Sequence, residues 1–357
     1  MRGRDSRAWV EVDLGALIEN ARAVARAAGT RLLPMVKANA YGVGAVAVSK
    51  ALESLEPWGY GVATVEEGAE LRAAGITRPV VVFMPGQVDL FDHYDQFRLT
   101  PVLGDVASIP EWTARGERAF HLEIDTGMGR SGVRWDEIER VRGALDTPYF
   151  EGCYTQFHSA DRADGSADRQ RERFLEAVGR LPRRPLLLHV ANSAAALRDR
   201  RFAFDLVRPG VFLYGGAPGP GLPAPRPVVT LRARVLSVRR VAAGESVSYS
   251  ALWTAPRDTT VATLGIGYAD GVRRSLGMDG RAAVLLRGKR CPVIGAVTMD
   301  MAMVETGDAP VAVGDIATLI GAADGGRITL EEYATWSGEL QREVLTSLGP
   351  RLPRVYD

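Results

Sequence analysis

The stretch Leu32-Leu33-Pro34-Met35-Val36-Lys37 is a short apolar run that ends in a lysine, and seven similar runs follow it before residue 213. Longer, amphipathic, helix-like segments lie between the runs, among them residues 45–55, 66–74 and 169–179. Alternation of strand and helix patterns is typical of a parallel sheet with crossover helices. The eight runs are residues 32–36, 60–63, 80–83, 100–103, 120–124, 150–154, 186–190 and 206–213. Eight strands favour a (β/α)8 barrel over an open sheet.

A segment rich in glycine and proline, Gly215-Gly216-Ala217-Pro218-Gly219-Pro220-Gly221-Leu222-Pro223-Ala224-Pro225-Arg226-Pro227, interrupts this alternation. Neither a helix nor a strand continues through such a segment, so it predicts a domain boundary. Short strand patterns follow at residues 228–241, 259–266, 282–286, 292–297, 302–305 and 315–319. We therefore expect an α/β protein in which residues 1–225 form the barrel and residues 226–357 form a mostly-β domain.

Lys37 lies where the first predicted strand ends. Burial disfavours the charged ammonium group and lowers the pKa of a lysine toward the range in which its amine acts as a nucleophile or a base. A lysine at the end of a strand can equally extend its charge into solvent along its aliphatic stem. The local pattern alone leaves both interpretations open.

Further polar side chains follow the later strands. Catalytic groups of (β/α) barrels lie at the carboxyl ends of the strands. The residues at these positions are Lys37, Tyr41, residues 125–130, Gln156, His158, His189, Asn192, Ser193 and residues 208–210. Chance placement of polar residues on ordinary loops would have to explain this convergence. We therefore expect a functional site at this end of the barrel.

The composition excludes several classes of function. The 44 basic and 43 acidic residues nearly cancel, so no electrostatic argument favours nucleic acid or an anionic membrane as a partner. Cys153 and Cys291 are far apart and fit neither a disulfide framework nor a metal site. The first residues lack the apolar stretch of a signal peptide, and no apolar run reaches the roughly 18 residues of a membrane helix. We expect a cytoplasmic protein that binds no metal.

The string Val36-Lys37-Ala38-Asn39-Ala40-Tyr41-Gly42 resembles the cofactor-lysine motif of alanine racemases, fold-type III enzymes that use pyridoxal 5'-phosphate. Seven further motifs resemble that family in the same order and cover nearly the whole chain. They lie at residues 9–14, 125–130, 189–193, 207–210, 265–271, 298–300 and 350–354. The resemblance implies an enzyme that interconverts L-alanine and D-alanine and supplies D-alanine for peptidoglycan precursors.

The resemblance implies that Lys37 bonds to the cofactor aldehyde and acts as one of two bases. Tyr268 matches the second base. Inversion of a stereocentre requires removal of a proton from one face and its return to the other, so two acid–base groups are expected. His189 resembles a histidine that contacts this tyrosine and would assist its ionisation.

The same resemblance assigns residues to the cofactor. Arg208 matches the arginine that faces the pyridine nitrogen, and an arginine cannot give up its proton to that nitrogen. Tyr41, Ser193 and the backbone amides of Gly210 and Val211 would hold the phosphate. Ser193 could also cap the helix that follows it.

Substrate binding and assembly follow in the same way. Arg130 resembles the arginine that binds the substrate carboxylate, to which Met299 would add a backbone amide, with Asp300 in support. In this family Tyr268 and Met299 reach the barrel of the neighbouring subunit. The resemblance therefore implies a homodimer with shared active sites.

The chain departs from the family pattern at four places. Glu123 replaces a lysine that is often carbamylated, and we expect Glu123 to pair with Arg130 without modification. Gln156 replaces a frequent histidine near the cofactor, with His158 close by, and Thr298 replaces a cysteine. The segment Leu348-Gly349-Pro350 lacks a tyrosine that touches the phosphate in some members, which would weaken cofactor binding.

Three alternatives remain at this level. One is a racemase of the same architecture that acts on serine or on a broad range of amino acids, because small pockets discriminate weakly between similar side chains. Another is a non-catalytic protein that carries pyridoxal phosphate, which the domain bearing Tyr268 argues against. The last is a decarboxylase with a similar layout.

Overall fold

Strands and helices alternate through the first half of the chain. The computed structural model describes residues 3–357. Its strands are β1 (Ala8–Val12), β2 (Arg31–Leu32), β3 (Tyr60–Val62), β4 (Val80–Pro85), β5 (Thr100–Leu103), β6 (Phe120–Asp125), β7 (Val133–Arg134), β8 (Phe150–Tyr154), β9 (Leu187–His189), β10 (Leu206–Val207), β11 (Val229–Val241), β12 (Ser246–Val247), β13 (Trp253–Thr254), β14 (Thr259–Leu264), β15 (Ala283–Leu286), β16 (Lys289–Ile294), β17 (Ala302–Glu305), β18 (Ile316–Ala323), β19 (Gly326–Ile328) and β20 (Arg354–Tyr356). Its helices are α1 (Leu14–Ala28), α2 (Lys37–Tyr41), α3 (Ala45–Leu52), α4 (Val65–Ala73), α5 (Phe91–Phe97), α6 (Ser108–Thr113), α7 (Ser166–Gly179), α8 (Ser193–Arg198), α9 (Leu330–Ser337) and α10 (Gln341–Ser347).

Parallel strands close into a barrel in this half. Strands β3, β4, β5, β6, β8 and β9 pair in that order, and β10 pairs with β2. Two single bridges, from Met35 to Gly61 and from Asn192 to Arg208, join the two pieces at both edges. Each of the eight predicted runs contributes one strand, so the (β/α)8 barrel is confirmed.

Burial on both faces explains why the barrel strands are continuous apolar runs. In β4, Val81 packs in a cluster with Leu33, which directly follows β2, and with Val102 and Leu206 of other strands. Val80 and Val82 belong to the larger core that includes the helices. A strand buried on both faces has no reason to alternate apolar with polar residues. Burial of each valine contributes roughly 1.5–3 kcal/mol.

Two predicted strands are shorter than their apolar runs. Regular pairing of the first run ends at Leu32, and that of the eighth ends at Val207. Pro34 and Pro209 follow closely, and a proline has no N–H group to donate to a neighbouring strand. After Gly210 the eighth run continues as a short 3-10 helix, Val211–Tyr214, rather than as a strand. The chain therefore turns over the barrel end at these points.

The second half of the chain is built on a nine-stranded sheet with the order β19-β18-β15-β16-β17-β14-β11-β1-β20. The six predicted strands correspond to β11, β14, β15, β16, β17 and β18. Strand β1, from the start of the chain, lies between β11 and β20 in this sheet. The division after residue 225 stays a prediction. No helix among residues 3–357 is long and apolar enough to cross a membrane.

Candidate active site

A cavity of about 1160 Å³ opens at the carboxyl ends of the barrel strands. Most of the predicted site residues of the barrel line it, namely Lys37, Tyr41, Arg130, Gln156, His158, Ser193, Arg208, Gly210 and Val211. His189 lies behind Arg208 in the fully buried interior. The predicted convergence of polar side chains at this end is therefore observed for the barrel residues.

Lys37 begins the short segment α2, which is a single left-handed turn rather than an ordinary α-helix. The φ angles of Ala38, Asn39, Ala40 and Tyr41 lie between 52° and 55°. Each such residue costs roughly 1–2 kcal/mol unless it is glycine, so outside contacts must hold the turn. Glu67 provides one of them, because its Oε1 accepts from the Ala38 N–H at 2.6 Å. Its Oε2 accepts from the Ala63 N–H, directly after β3, at 2.7 Å. The carboxylate thereby fixes the backbone next to the lysine.

The surroundings of Lys37 lower the pKa of its amine. Burial makes the largest contribution, and the charges of Arg130 and Arg208 act in the same direction, against an opposing effect of Glu67. A larger fraction of this amine is unprotonated at neutral pH than in an exposed lysine. Of the two interpretations of Lys37, the structure thus favours a nucleophilic amine over a charge that extends into solvent.

Arg208 is a buried cation with several acceptors. It donates to the Thr155 carbonyl at 3.0 Å, to Gln156 Oε1 at 3.2 Å and to His189 Nδ1 at 3.0 Å. It also donates to the His189 carbonyl. Burial lowers the pKa of Arg208 to about 10, which still leaves it protonated at neutral pH. Gln156 therefore has a defined role, as a neutral acceptor for the guanidinium group.

The contact expected between His189 and Tyr268 is wrong. His189 Nδ1 faces Arg208, and His189 Nε2 lies 2.9 Å from His121 Nδ1. Both ring nitrogens are occupied inside the barrel, and His189 is fully buried. The side chain is too deep to reach a residue of the other domain. It holds Arg208 instead.

Tyr41, Ser193 and Gly210 form a small cradle at one end of the cavity. Ser193 Oγ accepts from the Gly210 N–H at 2.9 Å, and a methyl group at Gly210 would overlap the Tyr41 hydroxyl. The predicted capping role of Ser193 is wrong, because Asn192 Oδ1 caps α8 by accepting from the Ala195 N–H at 3.1 Å. Hydroxyl and N–H groups around a glycine suit a bound phosphate, so the cradle fits the cofactor implied by the sequence.

The expected pair of Glu123 and Arg130 is present. Glu123 Oε1 lies 3.7 Å from Arg130 Nη2, and the Glu123 side chain is only 4% exposed. Ser131 Oγ donates to the other carboxylate oxygen at 2.8 Å. A buried carboxylate with its own donor gives the exposed guanidinium group of Arg130 a fixed direction.

Tyr268 and Met299 lie together on the β domain, outside the cavity of their own chain. The Tyr268 N–H donates to the Thr298 carbonyl at 2.9 Å, and the side chains of Tyr268 and Met299 are 43% and 53% exposed. Gly267 has no room for a side chain against this loop. Asp300 pairs with Arg351 at 2.6 Å. The β domain therefore presents a phenol and a backbone turn to the outside.

Sequence reasoning missed several residues. Glu67 gave no local signal, because its contact with Ala38 spans 29 residues. Arg342 of α10 lines the cavity, and its charge opposes the rise in the pKa of Tyr41 that burial causes. Residues 348–350 are not among the lining residues of the described chain, and Gly349 instead donates to the Asp270 carbonyl at 3.0 Å. Arg342 therefore adds a positive charge near Tyr41, at the end of the cavity where the missing tyrosine predicts weaker cofactor binding.

Comparison with known families agrees with this geometry. A model of the alanine racemase N-terminal domain matches residues 12–218, and one of the alanine racemase C-terminal domain matches residues 228–356. The chain belongs to the alanine racemase family. Alanine racemases are isomerases, so the expectation of an enzyme is confirmed.

Individual alanine racemases match over the whole length of the chain. The alanine racemase of Deinococcus deserti is 40% identical, with 98% of this chain and 99% of that protein covered. The crystal structure of the Enterococcus faecalis alanine racemase has a TM-score of 0.92 at 31% identity, with 99% of each chain covered. That of Bartonella henselae, which contains covalently bound pyridoxal phosphate, has a TM-score of 0.90 at 28% identity, with 99% and 100% covered.

Proposed function

We propose that the chain interconverts L-alanine and D-alanine with pyridoxal 5'-phosphate bound covalently to Lys37. The observation that carries the proposal is the position of Lys37. Its amine has a lowered pKa and faces the same cavity as a buried arginine and a cradle of hydroxyl and N–H groups. The Bartonella henselae relative holds the same cofactor covalently.

The cofactor, when bound, supplies an electron sink for the pair released when a substrate Cα–H bond breaks. Lys37 would hold it at the aldehyde, and Tyr41, Ser193 and the amides of Gly210 and Val211 would hold its phosphate. Arg208 would face the ring nitrogen with N–H groups that it cannot give up, so that this nitrogen stays unprotonated. That restraint disfavours side reactions that depend on a stronger electron sink.

Two proton carriers would act on opposite faces of the substrate. The Lys37 amine, once the substrate amino group has replaced it on the cofactor, would take or return the proton on one face, and the phenol Oη of the partner subunit's Tyr268 would do so on the other. The exposure of Tyr268 and Met299 outside their own cavity supports a homodimer in which each β domain completes the neighbouring site. Arg130, oriented by Glu123, would bind the substrate carboxylate together with the amide of the partner subunit's Met299, and the partner subunit's Asp300 would support that turn.

The direct test uses purified protein loaded with pyridoxal phosphate. We expect the circular dichroism of an L-alanine solution to decay to zero, and that of D-alanine to do the same. A higher kcat/KM for L-serine than for L-alanine would replace alanine by serine as the substrate. Cofactor binding without any loss of optical activity would identify a carrier, and release of carbon dioxide would identify a decarboxylase.

A shared site predicts complementation between two inactive variants. Lys37→Ala and Tyr268→Phe damage the two components of one site that come from different subunits. When the two variants are mixed and the subunits re-assort, half of the dimers contain one intact site, so about a quarter of the sites should recover. Activity that stays at the level of the separate variants after verified subunit exchange would contradict the shared site.

Glu123→Gln tests the orientation of Arg130. An amide keeps an acceptor for Ser131 but removes the negative charge next to the guanidinium group. We expect KM for alanine to rise about tenfold with a smaller change in kcat, because a charge-assisted interaction at the substrate carboxylate is weakened. Glu139→Gln, at an exposed site, is the control. An unchanged KM would show that Glu123 does not act through Arg130.

Supply of D-alanine to peptidoglycan precursors and a cytoplasmic location remain predictions. Growth of a D-alanine auxotroph on expression of this chain would test the first of them.

A further inference from the structure

A column of polar side chains continues from Arg208 into the barrel interior, where most barrels have apolar layers. We use the name polar column for His189, His121 and Glu151. His189 ends β9, whereas His121 and Glu151 lie near the starts of β6 and β8. The column therefore runs from the cavity toward the opposite end of the barrel. Both histidines are fully buried, and the Glu151 side chain is 28% exposed.

The contacts in the column are close and directional. Arg208 Nη1 lies 3.0 Å from His189 Nδ1, and His189 Nε2 lies 2.9 Å from His121 Nδ1. His121 Nε2 lies 3.3 Å from Glu151 Oε2. Gly152 leaves space for the imidazole of His121, because a side-chain carbon at that position would come within 2.8 Å of the ring.

Every hydrogen bond in the column runs in the same direction, away from Arg208. A guanidinium group can only donate, so His189 Nδ1 must accept and His189 carries its proton on Nε2. That proton is donated to His121 Nδ1, so His121 also carries its proton on Nε2 and donates it to Glu151. Burial and the charge of Arg208 lower the pKa of His189 well below its usual value, which agrees with a neutral ring.

We propose that His121 and Glu151 are positioning residues for Arg208, which act by fixing the tautomer of His189. Glu151 accepts from His121 Nε2, which leaves His121 Nδ1 free to accept from His189 Nε2. His189 Nδ1 is then free to accept from Arg208. With the opposite tautomer, His189 would turn an N–H group toward the N–H groups of Arg208, and the arginine would lose a partner. The inference rests on the proposed function, in which Arg208 faces the ring nitrogen of the cofactor.

The first test measures the tautomers directly. The chain has four histidines, so nitrogen-15 labelling of histidine gives a spectrum simple enough to assign by single substitutions. We expect His121 and His189 of the wild-type protein to be neutral with the proton on Nε2. A proton on Nδ1 of either ring would overturn the proposal. This result does not depend on racemase activity, so it separates the polar column from the proposed function.

The second test changes the end of the column in the cofactor-loaded enzyme. Glu151→Gln keeps an oxygen acceptor for His121 and should leave kcat within about twofold, whereas Glu151→Lys replaces the acceptor by a donor and should lower kcat about tenfold. The lysine variant should also shift the absorbance of the bound cofactor, which a loss of stability alone would not do. Glu139→Lys is the control, because it makes the same change of charge at an exposed site.

His121→Phe removes the middle of the column and keeps a ring of similar size. We expect the same lower kcat and altered absorbance as in Glu151→Lys. Wild-type kcat and absorbance in both folded variants would overturn the proposal. A wild-type protein that racemises nothing would instead refute the proposed function, and the tautomer measurement would still decide the polar column.

Discussion

Replacing Lys37 by alanine is expected to lower the rate of alanine racemisation by at least about 10³-fold, because the change removes both the covalent attachment of the cofactor and one of the two proton carriers. The rate is measured as the decay of circular dichroism of L-alanine with pyridoxal phosphate in excess. The variant should also lose the absorbance of covalently bound cofactor. The loss of racemisation and the loss of this absorbance have the same cause, the missing Lys37 amine.

The composition of the chain makes this prediction unusually easy to check. Lys37, Lys50 and Lys289 are its only lysines. Reduction with borohydride followed by peptide mapping should therefore place the cofactor on Lys37 without ambiguity. Lys50→Ala is a matched control, since Lys50 is exposed on α3. Covalent cofactor on Lys50 or Lys289, or full racemisation by the Lys37 variant, would refute the assignment.

Replacing Tyr268 by phenylalanine is expected to lower racemisation about 10²- to 10⁴-fold while leaving the fold intact. The ring and the backbone bond to Thr298 remain, and only Oη is lost. Lys37 can still exchange the α-proton on its own face. In D₂O, one alanine enantiomer should therefore still gain deuterium at Cα without inversion, whereas the other should not.

Mass spectrometry of each enantiomer after separation measures this asymmetry. Tyr249→Phe, another exposed tyrosine of the β domain, is the control for loss of a surface hydroxyl. Equal deuterium uptake by both enantiomers at wild-type rates would show that Tyr268 is not a proton carrier. Equal loss for both would place its role in binding rather than in proton transfer.

Much of the barrel could be predicted because its strands are buried on both faces and so appear as apolar runs. The ends of two strands could not be predicted from that pattern. Hydrophobicity continues past Leu32 and Val207, but pairing depends on N–H groups that Pro34 and Pro209 lack. The sequence does not indicate that β1 belongs to the second sheet, because its partners β11 and β20 lie far away in the sequence.

The position of a side chain at the cavity could be predicted where the residue follows a strand end, as for Lys37 and Arg208. Contacts between residues that are distant in sequence could not be predicted. Glu67 looks like any acidic residue in the first turn of a helix, and its contact with the lysine turn appears only in the fold. The same holds for His189, because a histidine at a strand end can face either the cavity or the barrel interior. Its contacts with Arg208 and His121 place it in the interior.

The position of β1 between β11 and β20 has a consequence for synthesis on the ribosome. After β1 has been synthesised, its neighbour β11 follows more than two hundred residues later, and its neighbour β20 follows more than three hundred residues later. The barrel can assemble during this interval, but β1 stays unpaired until β11 and β20 have been made. Truncated nascent chains should therefore carry an unprotected edge that invites chaperone binding.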